Sequence, residues 1–391
     1  MSIYAVTSLG LKGKKVLLRC DFNVPLKNGR ITDAHRIDAS VPTIRYVLQQ
    51  GGAAILCSHL GRPKGAQVGL SLKPVAEYLS AELGVEMPLA PDCVGDATDR
   101  MVDSLAPGHA LLLENLRFHA EEEANDPAFA QALAHGKDVY VNDAFGTAHR
   151  AHASTAGVAS FIRHKAAGML MLREIEALRA VTENATHPYV LIVGGAKVSD
   201  KIGLLRNMLP KVDAILIGGA MAYTFLHARG EAIGRSCCEP EKAGIARELA
   251  AEAERKGVRL LLPVDHVVAS AAQEGTSAAV VSAIPSDKVA LDIGPGTIAA
   301  FKCAIGNAKT IVWNGPLGYF EIPEFASGTL QVGKTIALSN ATTVLAGGDT
   351  EAAVANQDWV SRFTHISTGG GAALEFLEGR ELPGLVALEQ K

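Results

Sequence analysis

Polar and charged side chains end the strand-like runs in the first half of the chain. The runs KVLLRC, AAILCS, ALLLEN and VYVNDA are followed by Asp21, Asn23, His59, Arg62, Arg117, His149 and Arg150. In a parallel sheet the carboxyl ends of the strands lie at one edge, where such sheets bind their ligands. The pattern therefore predicts that these side chains form one surface.

Arginine gives this surface its chemistry, because a guanidinium binds phosphate through paired N–H donors better than an ammonium does. A single arginine is usually a solvated surface charge. Here several recur, at Arg36, Arg62, Arg117 and Arg150. With His59 beside them, and with aspartate and asparagine available to accept hydrogen bonds from hydroxyl groups, we expect a small phosphorylated acid as the ligand.

Glycine ends the strand-like runs of the second half, as in VLIVGGAK, AILIGGA, ALDIGPG, IVWNGPLG, TVLAGGDT and HISTGGGA. A glycine at a strand-to-helix junction lets a phosphate oxygen approach the N–H groups of a helix N-terminus. An isolated glycine cluster is more often a turn or a helix cap. The repetition, with helix-like segments after residues 347–350 and 369–371, favours a nucleotide site.

Charged residues within the glycine-rich half add detail to this site. Asp349 offers the hard oxygen ligand that Mg²⁺ prefers. GGAKVSDK places Lys197 and Lys201 four positions apart, on one face if the segment is helical. Two such ammonium groups repel unless an anion lies between them, and a polyphosphate is such an anion. Two surfaces of this kind in one chain suggest an enzyme that brings two phosphorylated molecules together.

Two further motif matches carry less weight. Residues 328–335 fit the P-loop pattern GxxxxGK[ST], but a P-loop directly follows a buried strand and this one follows YFEIPEFAS, so we predict a helix. Residues 294–299 fit a dinucleotide fingerprint after a strand. No convincing helix of the right length and no acidic residue ending the next strand accompany it. A nicotinamide dehydrogenase is the rival enzyme that this second match supports.

The elements that must position these residues follow an alternating order. At 391 residues the chain exceeds the size of one hydrophobic core, so two domains are expected. Strand-like runs alternate with helix-like segments such as SLKPVAEYLSAELG, PAFAQALAHG and EKAGIARELAAEAERKG, as in parallel α/β sheets. The longest helical pattern, residues 169–184, connects the halves. We predict an α/β fold of two doubly wound, Rossmann-like domains joined by this helix, with a hinge cleft between them.

The composition argues against several classes of protein. A net charge of −4 does not favour general binding to nucleic acid or to anionic membranes. No apolar stretch approaches the ~18 residues of a membrane span, and the first residues lack signal-peptide features, so we expect a cytoplasmic protein. Nothing in the sequence demands more than a monomer. The six cysteines form no CxxC pair and have no metal-ligand spacing with histidine. We expect Cys20 and Cys57 to be buried, reduced thiols.

Eight motifs, taken in order, resemble those of the phosphoglycerate kinase family. They are DFNVP, HLGRP, ENLRF, DAFGTAHR, GGAKVSDK, WNGP, GGDT and STGGGA. The resemblance covers nearly the whole chain. It implies a phosphoglycerate-binding domain of residues 1–170 with 382–391, an interdomain helix of residues 171–186, and a nucleotide-binding domain of residues 187–381.

The resemblance also implies a reaction and the residues that serve it. The family moves a phosphoryl group between the acyl phosphate of 1,3-bisphosphoglycerate and ADP, giving 3-phosphoglycerate and ATP in glycolysis and gluconeogenesis, with Mg²⁺. The implied phosphoglycerate ligands are Asp21, Asn23, Arg36, His59, Arg62, Arg117 and Arg150. The implied nucleotide ligands are Lys201, Asn314, Glu321, Gly347, Gly348, Asp349 and Thr350, with Asp349 as the residue on the metal. The implied catalytic groups are Arg36, Lys197, Lys201, Gly348 and Gly371.

Chemistry of this kind needs positive charge rather than a general base. The attacking carboxylate is already ionised at neutral pH, and the phosphoryl group passes through a loose, in-line transition state. Because the donors are on two domains, we expect hinge closure to complete the site and exclude water. A non-catalytic nucleotide-binding module remains the second alternative. The sequence departs from the family pattern at Gly296, Tyr319 and Ala346. We expect these differences to affect the packing of the adenine ring.

Overall fold

The computed structural model describes residues 3–390. Residues 1, 2 and 391, the outermost positions of the predicted N-terminal domain, lie outside this range. The chain divides into two compact units. The first extends to Ile175 and resumes at Glu381, and the second spans Glu176–Arg380. Each unit contains a parallel sheet and helices, which confirms the predicted α/β fold class.

The first unit is built on a five-stranded parallel sheet of order β5-β4-β1-β6-β7. Its strands are β1 (Lys15–Arg19), β4 (Ala53–Cys57), β5 (Ala110–Leu112), β6 (Val139–Asn142) and β7 (His164–Ala167), and a small hairpin comprises β2 (Leu26–Lys27) and β3 (Arg30–Ile31). Its helices are α1 (His35–Gln49), α2 (Lys73–Leu83), α3 (Asp96–Ser104), α4 (Ala120–Glu123) and α5 (Pro127–Ala134). Helix α6 (Met169–Thr182) crosses the boundary between the units.

The central strand β1 shows why these sequences form a buried sheet. It pairs in parallel with β4 and with β6, so that Leu17 lies opposite both Ile55 and Tyr140. A parallel sheet covered on both faces favours continuous apolar runs, and every residue of β4 is buried. On one face, Leu18 and Leu56 belong to the main hydrophobic cluster of this unit. The polar residues that follow these strands are thereby brought to one edge.

The second unit is built on a six-stranded parallel sheet of order β10-β9-β8-β14-β15-β16. Its strands are β8 (Tyr189–Val193), β9 (Ala214–Ile217), β10 (Arg259–Leu261), β14 (Thr310–Asn314), β15 (Thr342–Ala346) and β16 (His365–Ile366). The helices that follow are α7 (Ile202–Met208), α8 (Met221–Ala228), α9 (Ala243–Lys256), α10 (Pro295–Gly306), α11 (Ser327–Ala337), α12 (Gly348–Val354) and α13 (Gly371–Leu377). The core of this sheet packs around the fully buried Trp313.

A separate antiparallel sheet changes one expectation from the sequence. It contains β11 (His266–Ala269), β12 (Ala279–Val281) and β13 (Val289–Ile293), in the order β12-β11-β13. The run ALDIGPG forms β13 and was expected among the parallel strands. It instead pairs antiparallel with β11. An apolar run of five residues does not reveal the direction of its partner.

The predicted helices form, with ends that follow local chemistry. SLKPVAEYLSAELG gives α2, which ends at Gly84 in the left-handed region with φ of 67°. EKAGIARELAAEAERKG gives α9, which ends in the same way at Gly257. Glycine suits this cap because it has no Cβ to clash there. The P-loop match of residues 328–335 lies within α11, as predicted.

Shorter elements complete the description. The 3-10 helices are Val6–Ser8, Val68–Leu70, Leu116–Phe118, Phe145–Thr147, Gly157–Ser160, Leu209–Lys211, Pro240–Lys242, Pro323–Phe325 and Val360–Arg362. Helix α14 (Pro383–Val386) returns the chain to the first unit, where Gly384 N donates to Ala148 O at 2.8 Å. No helix among residues 3–390 is long and apolar enough to cross a membrane.

Candidate active site

In the first unit, loops after neighbouring strands are tied together by hydrogen bonds. Asp21 follows β1, and its Oδ2 lies 3.1 Å from Nη1 of Arg36 in the first turn of α1. Asn23 Oδ1 accepts a hydrogen bond from the N–H of Gly61 at 2.8 Å. Arg117, in the 3-10 helix after β5, donates from Nη1 to the Gly61 carbonyl at 2.7 Å. The carboxyl ends of three strands therefore form one polar surface.

Arg19, which was not predicted from the sequence, supports this surface from the protein interior. Arg19 is the last residue of β1 and is fully buried. It donates from Nε to Ser154 Oγ at 2.8 Å and from Nη2 to His59 Nδ1 at 3.2 Å, and Nη1 donates to the Cys20 carbonyl. A guanidinium only donates, so His59 carries its proton on Nε2. The available signal was an arginine within an otherwise apolar strand, since a buried arginine requires partners.

Burial and positive charge keep His59 and His152 of the first unit neutral. Burial holds the pKa of His59 well below its usual value of 6.5, and the charges of Arg19, Arg117 and Arg150 lower it further. Burial, followed by the same arginine charges, also lowers the pKa of His152 to about 4. The positive charge here is therefore arginine charge, and Nε2 of His59 is a neutral donor.

The remaining predicted residues of this surface differ in exposure. Arg62 directly follows Gly61 and is exposed, whereas Arg150 is half-buried and donates from Nε to His149 Nε2 at 3.2 Å. Nη2 of Arg117 is buried and has no hydrogen-bond partner among residues 3–390. An unpaired buried donor is costly, and a bound anion would satisfy it.

In the second unit, a cavity of about 300 Å³ brings together most of the predicted nucleotide-binding residues. The predicted residues that line it are Lys197, Lys201, Asn314, Gly347, Gly348, Asp349, Thr350 and Gly371. They follow β8, β14, β15 and β16 of the parallel sheet. The sheet therefore collects them at the carboxyl ends of its strands, as expected for a ligand site in this architecture.

Lys197 and Lys201 both line this cavity, but they do not lie on one face of a helix. Residues 197–201 form a turn rather than a helix, and α7 begins only at Ile202. A shared helical face is therefore not the reason why the two lysines line the same cavity. Lys201 Nζ donates to Asn314 Oδ1 at 2.5 Å. Burial lowers the pKa of Lys201, and the carboxylates of Asp200 and Asp349 act in the opposite sense. The ammonium is thus held among acceptors at the cavity wall.

Close backbone crossings explain several of the glycines that line this cavity. Gly315 has φ of +103°, and a Cβ there would lie 2.2 Å from the Gly194 carbonyl oxygen. Its N–H donates to Thr350 Oγ1 at 2.7 Å, and that hydroxyl lies 3.3 Å from Ala346 O. The hydroxyl of Thr350 is therefore engaged inside the protein. Glycine at these strand ends is required for packing as well as for access to backbone N–H groups.

A second cavity of about 370 Å³ adjoins the first and has a more apolar wall. Both are lined by Gly195, Ala196, Pro316 and Asp349. The implied nucleotide ligand Glu321 and Tyr319, which departs from the family pattern, line the second cavity. A polar compartment joined to an apolar one suits a polyphosphate attached to a nucleobase.

The other two positions that depart from the family pattern, Ala346 and Gly296, differ in their surroundings. Ala346 is fully buried at the end of β15, where its carbonyl accepts from Asn314 Nδ2 at 2.9 Å. Gly296 lies in the first turn of α10 and, within residues 3–390, is not part of the lining of either cavity. Its N–H donates to Asp265 Oδ2 at 2.8 Å.

The dinucleotide fingerprint fails for a structural reason that differs from the expected one. A helix does follow it, since α10 spans twelve residues from Pro295. However, the preceding strand β13 is antiparallel to its neighbour. The first-turn N–H groups of Gly296 and Thr297 are also bound by the carboxylate of Asp265. These donors are therefore occupied by the protein itself.

Comparisons with known proteins give the same assignment over the whole chain. A sequence model of the family described as Phosphoglycerate kinase matches residues 6–380. The chain belongs to the phosphoglycerate kinase family. It is 51% identical to the phosphoglycerate kinase of Koribacter versatilis (strain Ellin345) and 52% identical to that of Anaeromyxobacter dehalogenans (strain 2CP-C), with 100% of both chains covered in each case.

A solved structure agrees with these relatives. The structure of phosphoglycerate kinase from Coxiella burnetii superposes with a TM-score of 0.92 at 42% identity, covering 99% of each chain. The predicted family and the predicted enzyme class, a phosphotransferase, are confirmed.

A magnesium ion is implied by the phosphoglycerate kinase family, and the residues present suit it. Asp349 is exposed and lines both cavities, and Asp200 lines the first. Mg²⁺ is usually held by one or two carboxylates together with substrate phosphates and water. A carboxylate beside glycine backbone in an open cavity provides this kind of donor set.

Proposed function

We propose that this protein transfers a phosphoryl group reversibly between 1,3-bisphosphoglycerate and MgADP, giving 3-phosphoglycerate and MgATP, in glycolysis and gluconeogenesis. The observation that carries the proposal is the presence of two polar surfaces of different chemistry in a member of this family. The first unit offers arginine with neutral histidine, and the second offers lysine with glycine backbone. Directional guanidinium forks suit a phosphorylated acid, whereas backbone N–H groups suit a polyphosphate.

Phosphoglycerate would bind to the surface of the first unit. We assign to it the residues Asp21, Asn23, Arg36, His59, Arg62, Arg117 and Arg150. The unpaired Nη2 of Arg117 supports this assignment, because a phosphate oxygen would supply its missing acceptor. The neutral His59 would donate from Nε2 without adding a charge that must be neutralised.

The nucleotide would bind along the two adjoining cavities of the second unit. Lys201, Asn314 and residues 347–350 would surround its phosphates, and Glu321 would contact the ribose. Asp349 would hold Mg²⁺, which when bound neutralises charge on the nucleotide phosphates. We propose residues 187–381 as the nucleotide-binding domain, residues 171–186 as the connecting helix, and residues 1–170 with 382–391 as the phosphoglycerate-binding domain.

The transfer itself would require charge stabilisation and no general base. In the direction of ATP use the attacking carboxylate of 3-phosphoglycerate is already ionised. Arg36, Lys197 and Lys201, with the N–H groups of Gly348 and Gly371, would stabilise the charge on the moving phosphoryl group. Because these donors belong to two units, we propose that hinge closure is needed for the reaction and that it excludes water.

A coupled assay of ATP consumption in the presence of 3-phosphoglycerate tests the proposal directly. Turnover that requires both substrates and Mg²⁺ is expected. A nucleotide-binding module would bind ADP without any such turnover, and a dehydrogenase would instead change NADH fluorescence on binding. Either result would contradict the proposed reaction. The cytoplasmic location and the monomeric state stay predictions.

A further inference from the structure

Three side chains that take no part in the proposed transfer meet in the first unit. Asp92 and Cys93 precede α3, and His119 follows the 3-10 helix after β5. Their potential metal-ligand atoms, one carboxylate oxygen, Sγ and an imidazole nitrogen, all lie within 4.8 Å of one another. Sequence spacing gave no sign of this, because cysteine and histidine are far apart in the chain and only the sheet brings them together.

The distances from Asp92 Oδ1 to the other two potential ligand atoms are close to those of a tetrahedral metal site. His119 Nε2 lies 2.7 Å from this oxygen, and Cys93 Sγ lies 3.5 Å from it. In a tetrahedral zinc site, bonds of about 2.3 Å to sulfur and about 2.0–2.2 Å to nitrogen and oxygen place neighbouring ligand atoms about 3.3–3.6 Å apart. The sulfur–oxygen separation already matches, and the nitrogen–oxygen separation must open by about half an ångström.

We propose that Asp92, Cys93 and His119 form a binding site for one Zn²⁺ ion, with a water molecule as the fourth ligand. Thiolate, imidazole and carboxylate together are the donor set of zinc rather than of Mg²⁺ or Ca²⁺. One thiolate and one carboxylate balance the charge of the ion, and the imidazole binds as a neutral ligand. On binding, the Cys93 thiol proton leaves to solvent and a zinc–sulfur bond replaces the present contact with Asp92.

The surroundings hold the three groups in place and leave a way in. Cys93 is fully buried, and its N–H donates to Asp92 Oδ1 at 2.6 Å. The Asp92 carbonyl accepts from Thr98 Oγ1 at 3.0 Å. The ring of His119 packs against that of Phe129, with centroids 5.1 Å apart. Asp92 and His119 are partly exposed, so an ion reaches the site from solvent.

Titration of the full-length, metal-free protein with Co²⁺ tests the site, because cobalt reports thiolate ligation by a charge-transfer absorption band. We expect one cobalt ion per chain, the band, and its loss when Zn²⁺ is added. Cys93→Ser removes the band. His119→Gln, at a partly exposed position, weakens cobalt binding by at least about tenfold, in the range found when a metal site loses a supporting group.

The matched control is the double variant Cys237→Ser/Cys238→Ser, because these neighbouring thiols lie in the second unit and Cys237 is exposed. It should keep the band and the affinity. The proposal is overturned if cobalt at stoichiometric concentration gives no thiolate band. It is equally overturned if the band disappears in the control but survives in His119→Gln with unchanged affinity, whether or not Cys93→Ser folds.

Discussion

Arg36 Nη1 lies 3.1 Å from Asp21 Oδ2, and the two side chains differ in exposure, at 41% and 10%. Nη1 is also 3.5 Å from the Asn23 carbonyl oxygen. A guanidinium has five N–H donors in a fixed fork. The buried carboxylate therefore orients the arginine through one nitrogen, Nη1.

Replacing Arg36 by alanine should lower kcat by about 10²–10³-fold, the effect of removing one preorganised donor to a developing charge. The nucleotide Kd of the variant should stay within about twofold of the wild-type value, because the proposed nucleotide ligands are other residues, in the second unit. Arg36→Lys should recover little, since an ammonium lacks the fork. Steady-state kinetics and calorimetry with ADP measure the two effects.

Arg45→Ala provides the matched control, because Arg45 belongs to the same helix and its contacts are exposed: an ion pair with Glu82 at 4.0 Å and a hydrogen bond to the Glu82 carbonyl at 3.4 Å. Its kcat should equal that of the wild type. The interpretation fails if nucleotide Kd rises in Arg36→Ala as much as kcat falls.

Asp349→Ala should weaken the binding of MgADP by about tenfold or more, because the metal loses its protein carboxylate. Binding of ADP without Mg²⁺ should be unchanged or tighter, since a negative charge beside the phosphates is removed. Calorimetry with and without Mg²⁺ separates the two. Glu324→Ala, at an exposed carboxylate bound to Gly275 N, serves as the control. Equal MgADP affinity in variant and wild type would remove Asp349 from the metal site.

Gly315→Ala should destabilise the second unit by about 2 kcal/mol or more, because positive φ and a clash with the Gly194 carbonyl act together. Gly244→Ala is the comparison, since nothing lies within 4 Å of its added Cβ and it belongs to helix α9. That variant should be about 0.5–1 kcal/mol more stable. Urea unfolding of both variants gives the free energies, and similar values for the two would contradict the crossing argument.

The free energy of unfolding should depend on pH because some histidines are neutral in the folded protein. The folded-state pKa of His152 is about 4, below its usual 6.5. The native protein thus binds fewer protons than the unfolded chain between these values, and the free energy of unfolding falls as the pH drops through this window. His152→Gln should lose less stability between about pH 7 and about pH 5 than the wild type does.

The comparison with the variant is needed because other groups act in the opposite sense. Burial raises the pKa of Asp143 to about 6 and that of Asp292 to about 7. These carboxyl groups favour the folded state at the acidic end of the same window. Parallel stability curves for wild type and His152→Gln would show that His152 is not the group responsible.

Much of the architecture could be predicted from the sequence because local patterns and tertiary packing agree. Helices such as α2 and α9 carry both apolar periodicity and a terminal glycine. Strands such as β4 and β8 are continuous apolar runs, which a sheet covered on both faces requires. The position of the glycine and lysine residues in the first cavity of the second unit was predictable, since they follow strands of its parallel sheet.

What the sequence did not reveal depends on contacts between distant segments. The direction of β13 is set by its partner β11, not by its own composition. Arg19 is held by hydrogen bonds to Ser154 and His59, neither of which is near it in sequence. The meeting of Cys93 with His119 is likewise a product of strand order. Pairwise spacing along the chain carries no information about such contacts.

The return of the chain at Glu381 makes the second unit, in chain order, an insertion within the first. Ile3 and Glu389 are bridge partners, so both ends of the described chain lie side by side. A short linker joining them would permit a circularly permuted enzyme with new termini at an exposed turn such as that at Gly275. The second unit is thereby joined to the rest of the chain at two points, so we expect that it can be exchanged without interrupting the first unit elsewhere.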